Sequence, residues 1–134
     1  MNLDINLAAG LAAGVAAMIP GSIIYAPGVL GKRWMKEIGM AEKQMKDSNP
    51  AKAMIMMFLT ALISGLVASL FVTSLIPHTM IDAVDICLLL AWFPISVNLS
   101  QVFFERRSWA LCGINVLNHV LTFVVIGVVL GLFL

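Results

Sequence analysis

Four long apolar stretches, separated by short polar segments, dominate the pattern of this 134-residue chain. They cover approximately residues 7–26, 51–76, 81–104 and 109–134. Each is long enough for the roughly 20 helical residues that cross the hydrocarbon core of a bilayer. The pattern therefore predicts an all-α polytopic membrane protein. We expect residues 1–134 to form one transmembrane domain, a bundle of four transmembrane helices.

Capping signals sharpen the ends of these helices. Asn49 can cap a helix that begins at Pro50, because proline suits the first helical position. Thr79 and Asp82 have the spacing of a capping box. Ser108 is a candidate cap for the last helix. The first helix should bend at its internal proline, Pro20, and the third at Pro94.

Small residues recur every four positions, a spacing that lets helix backbones approach closely in lipid. The recurring positions are Ala9, Gly10, Ala13, Gly14, Ala17, Gly21, Ala61, Gly65, Ser69, Gly127 and Gly131. These faces predict close helix packing within one chain or between subunits. They also motivate the expectation of a homo-oligomer, or of a partner within a larger membrane complex.

The longest polar segment, residues 27–50, has its own periodic pattern. Leu30, Trp34, Ile38 and Met45 recur near helical spacing, with basic residues between them. This pattern predicts one or two short amphipathic helices at the lipid surface, broken at Gly39. We expect the basic side chains to lie among anionic head groups. The basic patch is small and tethered at both ends, which argues against nucleic acid as a partner.

Charge sets the expected orientation. Only 11% of the residues are charged, against about 25% in a soluble domain, so lipid is the expected solvent. All eight Lys and Arg residues fall in or next to the segments 27–50 and 105–108. The positive-inside rule places these two segments in the cytoplasm and both termini outside. Cys87 and Cys112 then lie toward opposite faces, too far apart for a disulfide.

A cluster of polar residues interrupts the last two apolar stretches. Asn98, Gln101 and Glu105 share one helix face, and Asn115, Asn118, His119 and Thr122 share another. If the two helices fold back at residues 106–108, Asn98 comes level with about Asn115 to Asn118. Unsatisfied polar groups are costly in hydrocarbon, so these two faces should meet inside the cytoplasmic half of the membrane.

This polar seam has two interpretations, which the sequence leaves open. Interhelical hydrogen bonds from Asn, Gln and His can simply hold helices together. Alternatively, ionisable and polar groups at this depth mark a functional site, with His119 as a candidate proton-linked group. No nucleophile, phosphate-binding or metal-ligand motif is present. We therefore predict no catalytic residues, no metal and no cofactor, and an enzyme is disfavoured.

Two blocks of residues resemble the domain of unknown function 1761 family, which consists of small bacterial membrane proteins with four predicted helices. The first block is Gly21, Tyr25, Pro27, Gly31, Lys32, Trp34, Met35 and Gly39. The second block is Asn98, Phe104, Glu105, Arg106, Ile114, Asn115 and His119. The chain departs from the family pattern at Ile24 and Asn118, where tryptophan and an aromatic residue would be expected. The resemblance implies the fold and a bacterial inner (plasma) membrane location, and it implies no activity.

Three functions fit these observations. The first is a small transporter or channel-like protein. Its pathway would be lined by Asn98, Gln101, Asn115, Asn118 and His119. Residues at the cytoplasmic face would support it, namely Tyr25, Lys32, Trp34, Glu105 and Arg106. The second is a structural or accessory subunit of a larger membrane complex. The third is a binder of a lipid-soluble ligand, or an intramembrane enzyme, that uses the same seam as a pocket.

Overall fold

The computed structural model describes residues 4–134, and helices make up most of this part of the chain. The α-helices are α1 (Leu7–Ala16), α2 (Met18–Ile24), α3 (Lys32–Ile38), α4 (Glu42–Asp47), α5 (Pro50–Leu75), α6 (Met80–Phe104) and α7 (Trp109–Gly131). A π-helical turn, Pro27–Gly31, joins α2 to α3. The described residues contain no strand, which agrees with the predicted all-α class.

Four apolar segments of this fold are long enough to cross a membrane: α1 and α2 taken together, α5, α6 and α7. The predicted caps are confirmed at three of the helix starts. Asn49 accepts from the amide of Lys52, Thr79 forms a reciprocal capping box with Asp82, and Ser108 accepts from Leu111. These bonds satisfy amides that a first helical turn leaves without partners.

The first apolar segment is broken at Ala17, one turn before the proline expected to bend it. The cause is Pro20, which has no N–H to donate to the carbonyl of Ala16 and crowds that carbonyl with its ring. By contrast, Pro94 lies inside a continuous α6. The break redirects the chain, so that α1 packs mainly on α5 whereas α2 packs on α7.

The segment after α2 folds into the short helices that its pattern predicts. Gly39 ends α3 in the left-handed conformation, with φ 71°, and α4 follows after a short connection. Glycine is favoured there because other residues strain at positive φ. The π-helical turn is an addition that the periodicity did not predict. This segment, the first turn of α5 and the turn at 105–108 together carry the eight Lys and Arg residues, and we name this end of the molecule the basic end.

Glycines account for the closest helix contacts. A methyl group on Gly14 would lie 2.7 Å from Cα of Leu62, and one on Gly65 would lie 2.5 Å from the amide nitrogen of Gly14. On α7, a methyl on Gly127 would lie 2.6 Å from Cα of Val84 in α6. The α1–α5 and α6–α7 pairs therefore rest on these small residues, as predicted. Most of the predicted small-residue faces are thus occupied within a single chain.

The core lies where α1 and α5 meet α6 and α7. It is built mainly from small and medium side chains: Ala9, Ala13, Ala17, Ala68, Val72, Ala83, Cys87, Ile126 and Leu130. A buried polar group, the hydroxyl of Ser69, donates to the backbone carbonyl of Asn6 at 3.0 Å. Both cysteines are free and buried, consistent with the expectation that they do not pair.

The first turns of α5 stand apart from this core. All ten residues from 51 to 60 are exposed within the single chain, and burial begins only at Ala61. Two of these residues, Met54 and Ile55, remain 56% and 61% exposed. This part of α5 is therefore less covered by the rest of the chain than the part that follows Ala61.

Candidate functional site

A chain of hydrogen bonds joins the first, third and fourth apolar segments. The phenol of Tyr25 donates to Oδ1 of Asn115 at 2.9 Å. The amide of Asn115 donates to Oδ1 of Asn98 at 3.1 Å, and Asn98 donates to the carbonyl of Pro94 at 2.9 Å. Each amide side chain thus both donates and accepts. The predicted meeting of the two polar faces is confirmed for Asn98 and Asn115.

The other residues predicted for the seam lie outside this hydrogen-bond chain. Oδ1 of Asn118 is buried and has no hydrogen-bond partner among the described residues. The ring of His119 is partly buried, and Gln101 is partly buried one turn beyond Asn98. The backbone carbonyl of Gln101 accepts from the amides of Glu105 and Arg107 at the end of α6. Of the five residues predicted to line a pathway, Asn98 and Asn115 are therefore hydrogen-bonded to each other. The other three, Gln101, Asn118 and His119, lie beside this pair.

Two aromatic side chains connect the hydrogen-bond chain to the basic end. The ring of Tyr25 meets that of Trp34 edge to face, with centroids 5.3 Å apart. This contact holds α3 against the end of α2, across the π-helical turn. Gly31 makes the close approach feasible, because a methyl group there would collide with the backbone carbonyl of Tyr25. Both aromatic residues were predicted only as supporting residues.

The same two aromatic rings form part of the wall of a cavity of about 240 Å³. The residues that line it are Tyr25, Pro27, Gly31, Trp34, Met35, Glu42, Met45 and Lys46. Most of this surface is apolar. Its charged groups are those of Glu42 and Lys46, whose Oε1 and Nζ atoms are 3.8 Å apart. We name this space the interfacial cavity. Sequence analysis did not predict it, although two of its lining residues, Trp34 and Met45, belong to the amphipathic pattern of the segment.

Ionic contacts further organise the basic end. Arg33 pairs with Glu37 at 2.7 Å along α3, and Glu105 pairs with Arg107 at 2.8 Å in the turn after α6. Arg106, in the left-handed conformation at φ 54°, forms no ion pair within the described residues. Lys32 is exposed and likewise forms none there. The exposed Glu105–Arg107 pair adds little stability.

Glu37, on α3, lies beside Ser108 at the start of α7. Its side chain is only 15% exposed. A hydrogen bond with the Ser108 side chain, together with the nearby Arg33 guanidinium, lowers the pKa of its carboxyl group below the ordinary 4.5. Ser108 also caps α7, so a single serine lies between α3 and the helix that carries Asn115. Neither Glu37 nor this link was predicted, because the two residues are distant in sequence.

A second space, a groove of about 310 Å³, lies between α5, α6 and α7. It is almost entirely apolar, and Phe71, Phe93 and Phe123 are among its walls. Groups of His, Cys, Asp and Glu that could hold a metal ion do not occur among residues 4–134. The polar groups able to recognise a small molecule therefore concentrate around the hydrogen-bond chain and the interfacial cavity.

The fold and these polar groups define a class: small, all-helical chains whose four apolar helices are compatible with a multi-pass membrane protein. The family model described as "Protein of unknown function (DUF1761)" matches residues 8–131. The chain therefore belongs to this family, as the two sequence blocks indicated. No curated protein and no solved structure matches the chain.

Proposed function

We propose that this protein is a multi-pass protein of the bacterial inner membrane that binds a small amphipathic molecule at its basic end. The observation that carries the proposal is the interfacial cavity. Its apolar wall includes Tyr25, whose hydroxyl continues into the hydrogen bonds of Asn115 and Asn98. A mostly apolar concave surface next to a few ordered polar groups is the usual form of a small-molecule site.

The proposed orientation follows from charge. The basic end faces the cytoplasm under the positive-inside rule. Anionic head groups are then its natural neighbours, since each Lys or Arg near such a surface gains about 1 kcal/mol. Lys32 and Arg106 remain available for these head groups, because neither is engaged in an ion pair with the residues that the structure describes.

The size of the cavity limits the ligand. Its volume of about 240 Å³ lies below the roughly 300–1,000 Å³ of sites that enclose a whole small molecule. It therefore suits one end of a longer molecule whose remainder extends into lipid. The apolar rings and methionines would contact the alkyl part of the ligand, and Glu42 and Lys46 would lie near its polar groups.

A photoreactive lipid panel tests this proposal. Three amphiphiles would share one diazirine-bearing alkyl chain and differ in their polar end: an alcohol, a carboxylic acid and an amine. The protein would be reconstituted in nanodiscs and the crosslinked peptides mapped by mass spectrometry. We expect labelling of residues 25–46 by at least one probe. Replacing Trp34 with alanine should reduce it several-fold, because the substitution removes one wall of the cavity.

Trp92 provides the matched control for that substitution. It is 62% exposed on α6 and does not line the interfacial cavity. Trp92→Ala should leave the labelling of residues 25–46 unchanged. Equal labelling of wild type, Trp34→Ala and Trp92→Ala by all three probes would contradict the proposal, because it would indicate contact with bulk lipid alone.

Transport is the second candidate, and a different observation favours it. Asn118 and His119 lie beside the hydrogen-bond chain with polar atoms not engaged by it. The direct bond between Asn98 and Asn115 closes the space between α6 and α7 at that level. A pathway would therefore require these two helices to separate there.

Liposome flux measurements test the transport candidate. We expect saturable flux of a solute by the wild type, and loss of that flux in His119→Ala. Ser100→Ala is a matched control, because the Ser100 hydroxyl bonds only to the carbonyl of Val97 in its own helix. An absence of wild-type flux across broad classes of solute, or undiminished flux in His119→Ala, would count against transport.

The accessory-subunit and homo-oligomer hypotheses lose part of their motivation. They rested on abundant small-residue faces, and the glycines of those faces meet other helices of the same chain. Purification of the native protein in mild detergent distinguishes the outcomes. Co-purification of a large membrane partner would favour the accessory role, and a single small species would favour the ligand-binding function.

A further inference from the structure

Two aromatic rings form one corner of the interfacial cavity. Tyr25 and Trp34 both line the cavity, and their rings meet at 65° with centroids 5.3 Å apart. Rings stacked in parallel turn their outer faces in opposite directions, whereas inclined rings can turn two faces toward one space. The face of an aromatic ring carries negative charge density and attracts cations, and tryptophan attracts them most strongly. This corner therefore favours an ammonium group whose nitrogen carries carbon substituents.

The wall of this corner is ordered before any ligand arrives. The hydroxyl of Tyr25 donates to Oδ1 of Asn115 at 2.9 Å, and its ring contacts Trp34. Met35 and Met45, which are partly buried, line the cavity beside the rings. Thioether side chains are polarisable and adapt to the shape of a ligand. Because the aromatic wall is already fixed, binding loses little conformational entropy there.

Two groups of opposite charge lie at the mouth of the cavity. Glu42 and Lys46 both line it, and each side chain is 77% exposed. Their charged atoms are 3.8 Å apart along α4. An exposed pair of this kind contributes little stability, so little is lost when each group turns to a ligand. The exposure of Lys46 also indicates that its own ammonium group does not fill the space beside the rings.

The charges at the mouth select a ligand that carries both signs. A purely anionic ligand would pair with Lys46 but would bring its charge close to the carboxylate of Glu42. A purely cationic ligand would pair with Glu42 but would face Lys46 and the other basic residues of the segment. Juxtaposed like charges are unfavourable in both cases. A zwitterion satisfies both groups and turns its anion toward the basic residues.

We propose that the interfacial cavity takes the head group of a zwitterionic amphiphile, in which a short carbon chain joins an ammonium group to a phosphate. The carbon substituents of the ammonium group lie against the rings of Tyr25 and Trp34, and its charge faces Glu42. The phosphate accepts from the ammonium group of Lys46, and the rest of the amphiphile extends into the lipid. This inference rests on the proposed binding function and adds the chemical class of the ligand.

The test compares two photoreactive amphiphiles that differ in one atom. Both carry a diazirine-bearing alkyl chain and a phosphate, but one ends in a trimethylammonium group and the other in an uncharged tert-butyl group of the same shape. In nanodiscs with the wild type, labelling of residues 25–46 by the zwitterion should exceed that by the tert-butyl probe about five-fold or more. The tert-butyl probe is a net anion that the basic end attracts, so general electrostatic attraction would produce the opposite preference.

Glu42→Gln and Trp34→Leu should each reduce this preference several-fold. The first removes the carboxylate, and the second keeps an apolar side chain but removes the ring. Asp47→Asn is the matched control, because it removes a carboxylate from an exposed position of the same helix that does not line the cavity. The preference should persist in this variant. Glu42 is exposed, so Glu42→Gln remains informative if circular dichroism and size exclusion show that Trp34→Leu fails to fold.

Lys46→Gln tests the phosphate contact. Labelling by both phosphate probes should fall several-fold, and the zwitterion should still be preferred. Lys43→Gln is the matched control, because it removes the same charge from an exposed position of α4 that does not line the cavity. Labelling in this variant should stay close to that of the wild type. Equal losses in the two variants would overturn the phosphate contact, because they would indicate a general effect of positive charge.

The outcomes separate this inference from the function on which it rests. Labelling that depends on Trp34 but shows no preference for the zwitterion, or a preference that persists in Glu42→Gln, would overturn the zwitterionic head group and leave the binding function intact. Competition by soluble phosphocholine as effective as that by the unlabelled amphiphile would overturn the amphiphile and indicate a soluble ligand. Absence of Trp34-dependent labelling by every amphiphile would instead overturn the binding function itself.

Discussion

Asn115 is the residue on which the arrangement of the basic half of the bundle depends. Its amide oxygen accepts from Tyr25, at the end of α2, and its amide nitrogen donates to Asn98 of α6. One side chain on α7 therefore connects three of the four apolar segments. An amide that both donates and accepts orients helices that apolar contacts alone would hold less specifically.

Replacing Asn115 with leucine should lower the free energy of unfolding by about 1–3 kcal/mol. The estimate follows because interhelical hydrogen bonds in membranes contribute roughly 0.6–2 kcal/mol each, and the substitution also leaves Tyr25 and Asn98 without their partner. Steric trapping of unfolding in bicelles would measure the change. Ser100→Ala, which removes a hydroxyl bonded only within its own helix, should change the stability by less. Equal losses in the two variants would contradict the proposed role of Asn115.

Sequence spacing predicted part of this site. Asn98 and Asn115 could be paired because helical periodicity and one antiparallel turn determine their depth. The Tyr25–Asn115 bond could not be predicted, since it depends on the break at Ala17 and on the path of the chain after α2. The free acceptor of Asn118 was equally inaccessible to sequence reasoning, because the satisfaction of a polar atom depends on its three-dimensional neighbours.

Individual helices meet at glycines, and those contacts differ sharply in their tolerance of added atoms. A methyl group on Gly65 would lie 2.5 Å from the amide nitrogen of Gly14, whereas one on Gly113 would meet no atom within 4 Å. Small-residue spacing predicted a close packing face at Gly65, within the chain or between subunits, but not its partner. It could not distinguish a close backbone approach from an open position such as Gly113, since both are glycines within apolar helices.

Gly65→Ala should therefore destabilise the protein, by about 1–3 kcal/mol or more, because α1 and α5 must move apart to admit the methyl group. The same unfolding measurement applied to Gly113→Ala should show no loss. If the two substitutions had the same effect, the close α1–α5 contact would not be a determinant of stability.

The docking of α3 on the start of α7 should depend on pH through Glu37. The pKa of this carboxyl group is lowered in the folded protein by Ser108 and Arg33, so its charged form is the one that docks. The stabilisation is therefore present at neutral pH and is lost as the pH falls through the lowered pKa, below the ordinary 4.5. A fluorine label on Trp34 should report a titration step there by ¹⁹F NMR.

Glu37→Gln should eliminate that step. Asp47→Asn provides the control, because Asp47 is exposed at the end of α4 and does not line the cavity that contains Trp34. The step should persist in this variant. An unchanged step in Glu37→Gln would assign the titration to another group and contradict the role of Glu37 in docking.

At the scale of the whole molecule, all basic residues lie at or near one end, and this distribution predicts which end faces the cytoplasm. Cysteine labelling from outside intact cells measures the orientation. We expect an impermeant reagent to modify a cysteine introduced at His78 and not one introduced at Met40. The native cysteines are both buried and give a low background. Labelling at Met40 without labelling at His78 would contradict the proposed orientation.

The number, length and helical nature of the apolar segments could be predicted from hydropathy, because each segment is self-sufficient in backbone hydrogen bonds. The order in which the helices pack could not. Small residues occur on several helix faces, so their spacing alone does not reveal that α1 contacts both α5 and α7. The interfacial cavity depends further on the π-helical turn, a local geometry without a reliable sequence signal.

The exposure of residues 51–60 within the single chain has a consequence for sequence change in this protein. A substitution there removes little burial, so apolar residues that favour helix formation should be accepted with little loss of folding. The segment Met54–Met57 is accordingly a suitable place for a reporter group. A fluorescent or spin-labelled side chain at Met56 would sample the surroundings of the basic end without disturbing the core.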